Sequence, residues 1–206
     1  MKNVFKNIAL FTILAIGFSS LTGCSGTARS SGDANGTANA SPIPGGNTNS
    51  GETTAKSSEY PPGPAALMQA DIKAVDGTTF KVENRKGQTM LLNLWATWCG
   101  PCRGEMPELI AMQNDYGSKN FKVIGLNTDD ESAEDIKAFS TEMKLNYELA
   151  WADRAVITDL FRMTRFQGIP QSFLIDKEGR LRGVFTGGGP KVIAQMKQTV
   201  DKVVNE

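Results

Sequence analysis

Cys99 and Cys102 stand three positions apart in the stretch Trp98-Cys99-Gly100-Pro101-Cys102. Two thiols at that spacing can close a small disulfide ring and reopen it by exchange with another thiol. The run Met90-Leu91-Leu92-Asn93-Leu94-Trp95 just ahead of them is almost continuously apolar and too short for a core helix, which makes it a buried central strand. A helix is expected over 101–116. The pair therefore lies where strand gives way to helix, and the first thiol faces the positive end of the helix dipole, which favours the thiolate. Cys99 is the expected attacking thiolate, the more exposed and more acidic of the two. Cys102, one turn into the helix, is placed to resolve a mixed disulfide.

Other uses of the pair fit less well. A structural staple gains most by closing a long loop, and this ring is short. Zinc takes four ligands as a rule, whereas the chain offers one further cysteine, Cys24, and no histidine. No metal and no cofactor are expected. The lack of histidine also removes the commonest general base, so the chemistry falls to thiols, carboxylates or lysines. With 22 Lys plus Arg against 22 Asp plus Glu, no excess charge draws the chain to nucleic acid. Gly187-Gly188-Gly189 lacks the following Lys and Ser or Thr of a phosphate loop and reads as a flexible turn. Asp129, Asp130 and Glu131 read as a solvated loop and helix start.

The elements that would position the cysteines follow from patterning. Residues 72–75 and 79–82 around Asp76-Gly77 form a β-hairpin leading into the domain. A strand at 121–126 precedes a helix at 133–143, whose start carries Ser132 and Asp135 in capping-box spacing. A helical stretch at 156–161, strands at 172–175 and 181–185 joined by a turn at 176–179, and a last helix at 190–204 complete the chain. The layout is α/β, a mixed central sheet with helices on both faces. Trp95, Trp98 and Phe173 could shape a substrate groove, although aromatic residues in and beside central strands more often fill cores.

The 206 residues suit one catalytic domain. Lys2 and Lys6 precede an apolar stretch at 8–18, with the charge and length of a signal-peptide core and too short to span a bilayer comfortably. It runs into Leu21-Thr22-Gly23-Cys24, which resembles the bacterial lipoprotein signal, whose cysteine becomes the lipidated first residue. Residues 1–23 are the expected signal peptide and Cys24 the lipid attachment point. Residues 24–64, rich in Ser, Gly, Thr, Asn, Ala and Pro, cannot bury enough apolar surface to fold and are expected to form a disordered tether to a domain at 65–206. A coil of that length averages about 30–37 Å end to end.

The stretch from Asn93 through Trp98-Cys99-Gly100-Pro101-Cys102 to Arg103-Gly104-Glu105-Met106-Pro107 resembles the active-site segment of the TlpA/ResA group of thioredoxin-like proteins. A second stretch, Gly168-Ile169-Pro170-Gln171-Ser172-Phe173-Leu174-Ile175-Asp176, resembles that group's cis-proline loop and the strand after it. The resemblance implies a thioredoxin fold, a cis Pro170 lying against the cysteine pair, and a substrate peptide bound along Trp98, Gly100, Pro101, Ile169 and Pro170. It implies protein thiols and disulfides as substrates, in cytochrome c maturation or envelope redox repair, and a membrane thiol-reducing transporter as electron donor. The location implied is the bacterial cell envelope, with the protein held by its lipid and facing the periplasm or the cell exterior.

Thioredoxin carries a buried aspartate where this chain has Asn93, so another group must exchange protons with Cys102. In the ResA-like branch a glutamate matching Glu105 tunes the cysteines. Two roles stay open for Glu105, that one and an idle acid near a helix start, favourable to the dipole. A thiol peroxidase of related fold typically sets a threonine three residues before its reactive cysteine, where this chain has Ala96. A module that holds a partner through its groove or thiols without turnover is the reading from a different class.

Overall fold

The computed structural model describes residues 59–206. Its strands are β1 (Ile72–Ala74), β2 (Thr79–Phe80), β3 (Thr89–Trp95), β4 (Phe121–Asn127), β5 (Glu148–Trp151), β6 (Gln171–Ile175) and β7 (Leu181–Thr186). They form one sheet in the order β2-β1-β5-β4-β3-β6-β7. The apolar run of the sequence becomes β3, buried at every position because it has strands on both sides and helices on both faces. It pairs in parallel with β4 and antiparallel with β6, so the sheet is mixed, as the thioredoxin fold requires.

Alternation along β3 divides the core. Leu91, Asn93 and Trp95 face α2 (Gly100–Tyr116), α3 (Ala133–Met143) and α5 (Pro190–Val204), where Leu109, Met112, Met196 and Val200 pack on Phe121 and Val123. Met90, Leu92 and Leu94 face α1 (Ala65–Met68) and α4 (Arg154–Thr164), with Leu67, Val156 and Leu160. Helix starts follow side-chain chemistry: Ser132 accepts the Asp135 N–H at 3.1 Å and Asp153 the Val156 N–H at 2.8 Å. The expected capping pair at α3 is thus formed.

The fold adds to and adjusts the expected elements at several points. The hairpin forms, but its second strand is two residues long and gives way to a 3-10 turn at Val82–Arg85. β1 joins the main sheet, paired antiparallel with β5. That partner strand is too short for its pattern to announce it, and its pairing with β4 and β1 defines it. The boundary placed at 64 also moves. Pro61 accepts the Leu181 N–H and Gly63 donates to Gly179, both at 2.9 Å, while the Arg182 guanidinium lies 4.0 Å from the Tyr60 ring. These residues belong to the domain because its hairpin turn offers them backbone partners. The expected signal peptide, Cys24 and most of the expected tether lie outside the described residues.

Gly125 of β4 sits opposite Asn93 on the α2 face. A Cβ there would come within 2.9 Å of both Trp95 Nε1 and Leu149 Cδ2 and 3.2 Å of Tyr147 Cε2. The missing side chain makes room for the Trp95 indole, which stacks on Phe139 at 5.2 Å between centroids. Gly125→Ala overpacks this wall and is expected to cost about 1–3 kcal/mol, measured as a lower urea midpoint with an unchanged m-value. An unaltered midpoint would show that the wall yields freely.

Candidate active site

β3 ends at Trp95 and the chain turns through Thr97 and Trp98 to place Cys99 at the N-cap of α2. The cap is the sulfur itself: Cys99 Sγ accepts the Cys102 N–H at 3.2 Å. Pro101 suits the first turn, where its lack of an N–H removes no helical hydrogen bond. Cys99 and Cys102 are joined in a disulfide, with Cα atoms 5.2 Å apart. When the bond opens, the N–H and the positive helix end favour charge on Cys99 over Cys102. Cys99 is 3% exposed and Cys102 fully buried, so the expected order holds, but the contrast in the disulfide form is small.

The predicted recognition residues converge here. The Ile169–Pro170 peptide is cis, and Ile169 packs against the apolar cluster that contains both cysteines. Pro170 accepts the Gly187 N–H at 2.9 Å. The glycine run is more than a flexible turn, because Gly188 approaches Pro101 so closely that a Cβ would lie 3.1 Å from the proline ring. Trp98 is 67% exposed, while Trp95 and Phe173 are core. An open groove of about 480 Å³, lined by Trp98, Asp129, Ile157, Phe161, Gly168 and Ile169, runs beside the cysteine loop.

Glu105 is buried at 2% exposure. The inward face of α2 is Cys102, Glu105, Met106, Leu109 and Met112, a helical stripe into which the acid falls by spacing. Burial pushes its carboxyl from 4.5 up to about 7, against the opposing effect of the Asn93 side chain, whose Nδ2 donates to Glu105 Oε1 at 2.7 Å. Burial, with a smaller contribution from the Glu105 charge, also raises the Tyr147 phenol. Glu105 lies beyond the first turn of α2, which has no acidic residue.

The loop after β4 is also more than the solvated turn its composition suggested. Glu131 accepts hydrogen bonds from Thr97 Oγ1 and Asn127 Nδ2, its backbone carbonyl accepts from Trp151 Nε1, and Asp129 accepts from Trp98 Nε1. Two acids thus latch the cysteine loop to the end of β4. Nothing local in the sequence links positions so far apart.

Residues 64–184 match the AhpC/TSA family, and the chain belongs to that family. Among its relatives, the thioredoxin-like protein YneN of Bacillus subtilis is 28% identical over 132 residues, 63% of this chain and 74% of YneN. The thiol-disulfide oxidoreductase ResA of Bacillus cereus is 32% identical over 110 residues, 53% of this chain and 61% of ResA. The crystal structure of a thiol:disulfide interchange protein of the thioredoxin family from Chlorobium tepidum TLS superposes with a TM-score of 0.56 at 26% identity, over 71% of this chain and 98% of that one. With the mixed sheet and the Cys99–Cys102 disulfide, these likenesses define a thioredoxin-like thiol-disulfide oxidoreductase.

The raised carboxyl has a stability consequence. Between about pH 4.5 and 7 the folded state holds a proton on Glu105 that the unfolded chain has released, so stability falls as pH rises through that window. The full effect is roughly 3 kcal/mol. Glu105→Gln has no such proton, so the stability of the parent minus that of the variant should decline across the window in paired urea titrations. A flat difference would mean that Glu105 titrates normally.

Proposed function

We propose that this protein is an extracytoplasmic reductant of protein disulfides. The observation that carries the reading is the sulfur-capped helix start: Cys99 receives the Cys102 N–H in a domain whose cis-proline loop packs, through Ile169, on the apolar cluster that holds both cysteines, with an open groove lined by Trp98 and Ile169. In the dithiol form the Cys99 thiolate attacks one sulfur of a substrate disulfide and a substrate thiolate leaves, giving a mixed disulfide. Cys102 loses its proton, attacks the Cys99 sulfur and releases the second substrate thiolate. Two electrons pass to the substrate and the Cys99–Cys102 bond reforms. Glu105, three residues on from Cys102 along α2, is the group that exchanges the Cys102 proton. Trp98, Gly168 and Ile169, just ahead of the cis Pro170, border the groove that receives the substrate chain.

Direction is argued from Gly100-Pro101, the dipeptide that thioredoxin carries between its cysteines. Thioredoxin sits at about −270 mV and the oxidant DsbA at about −120 mV, a gap of roughly 7 kcal/mol for two electrons. The oxidant owes its power to a strongly stabilised thiolate, and this chain has no histidine to add to the helix end. An envelope reductant needs a continuing electron supply. A membrane thiol-reducing transporter is the donor this reading requires. The resemblance to the TlpA/ResA group implies exported substrates, with cytochrome c maturation as the specific case and general envelope repair as the broader one.

The dithiol form should reduce insulin disulfides, and Cys102→Ser should accumulate a mixed disulfide on Cys99 whose partner identifies the substrate. A potential above about −150 mV with a fully oxidised pair in growing cells would reverse the direction. Location is tested separately. The lipoprotein reading expects the mature protein in the membrane fraction and release of a Cys24→Ser form exported by another signal peptide. Native protein in the soluble fraction would remove the anchor.

A further inference from the structure

Asn93 is not only a position at which thioredoxin's acid is missing. Its amide nitrogen donates to Glu105 Oε1 at 2.7 Å and to Ser172 Oγ at 3.0 Å, which uses both of its hydrogens. All three residues are 2% exposed or less, and none can turn to water for a partner. Asn93 and Ser172 are direct neighbours across the β3–β6 pairing, two residues after cis Pro170. The contact therefore joins the strand that leaves the recognition loop to the acid beneath the cysteines.

A carboxylate and a carboxylic acid ask different things of an amide. The carboxylate can only accept and so needs the N–H; the protonated acid has an O–H to donate beside a carbonyl that accepts, and can pair with either end of the amide. Asn93 can satisfy either by rotating its amide half a turn, and the Ser172 hydroxyl can follow, accepting from the NH2 in one state and donating to Oδ1 in the other. We propose that Asn93 and Ser172 are positioning residues for Glu105: Ser172 holds the amide with its NH2 toward the carboxylate, and the amide is free to turn over and present Oδ1 only when Glu105 carries a proton. The groups around Glu105 are Cys102 on its own helix, Asn93 from β3 and the Tyr147 phenol ahead of β5. Among the described residues no lysine or arginine contributes to its titration. The amide is thus the principal polar group that discriminates the two states.

The two states depend unequally on Ser172. With the hydroxyl removed, the ionised arrangement leaves a buried N–H without an acceptor. The protonated arrangement leaves only the second lone pair of a carbonyl already bonded to Glu105, a smaller loss. Ser172→Ala should therefore favour the protonated form.

The proposal rests on Glu105 as the proton-exchanging acid, and the test separates the two. The infrared carboxyl band of Glu105, assigned by its loss in Glu105→Gln, is titrated in the oxidised protein, and the pH profile of Cys102 attack on a Cys99 mixed disulfide is followed alongside. Ser172→Ala should move both midpoints upward by roughly half a unit to one unit, and Ser172→Thr, which keeps the hydroxyl, should restore them. Unmoved midpoints in Ser172→Ala, with the band still assigned to Glu105, would overturn the amide switch alone. A Cys102 profile unchanged in Glu105→Gln would overturn the role of Glu105 itself, while a shifted infrared midpoint would still uphold the switch.

Discussion

The hydrogen bond from the Cys102 N–H to the Cys99 sulfur is the contact on which the rest of the site depends. It is a helix cap made by the group that will do the chemistry, so the strength of the cap and the readiness of the thiolate are one quantity. For a sulfur to sit there, β3 must stop at a fixed point, and its pairing with β4 and β6 on either side fixes where Trp95 ends. The latches from Asp129 and Glu131 then hold the intervening loop. The sheet, the loop and the helix are positioned so that one backbone N–H meets one sulfur.

The same helix carries a conflict. Its inward stripe is apolar except for Glu105, and an acid in that stripe opposes the packing that holds the helix to the sheet. Asn93 and Ser172 reduce the cost by supplying partners, and Gly125 leaves space on the same face. A site that gives up stability for a carboxyl able to change charge near neutral pH is what a proton-coupled thiol exchange needs.

Much of this was legible in the residues. The apolar run gave the central strand because only a strand buried on both faces lacks polar alternation, and the cysteine spacing at its end gave the chemistry. The burial of Glu105 was also available, since positions 102, 105, 106, 109 and 112 share one helical face, but the acid invited a dipole reading. What stayed hidden depends on pairing between distant segments. β5 is four residues long and is defined by its neighbours; the Thr97–Glu131 and Asn93–Ser172 contacts join positions with no local signal between them. Tyr60 to Gly63 look like linker because proline and glycine dominate, and they are ordered by the backbone of the β6–β7 turn.

That strap has a mechanical consequence. Pro62 bridges to Arg180 at the turn between β6 and β7, the end of the sheet where Ile175 lies beside Met90, whereas the cysteines follow Trp95 at the other end of β3. The two poles are separated by a strand of seven residues, about 20 Å. A pull on the chain ahead of Tyr60 is borne at the far pole by the Pro61 and Gly63 hydrogen bonds and by Arg182, which is clasped by Asp176 and Glu206. A load applied through Tyr60 to Gly63 thus enters the domain at the pole opposite the cysteine pair.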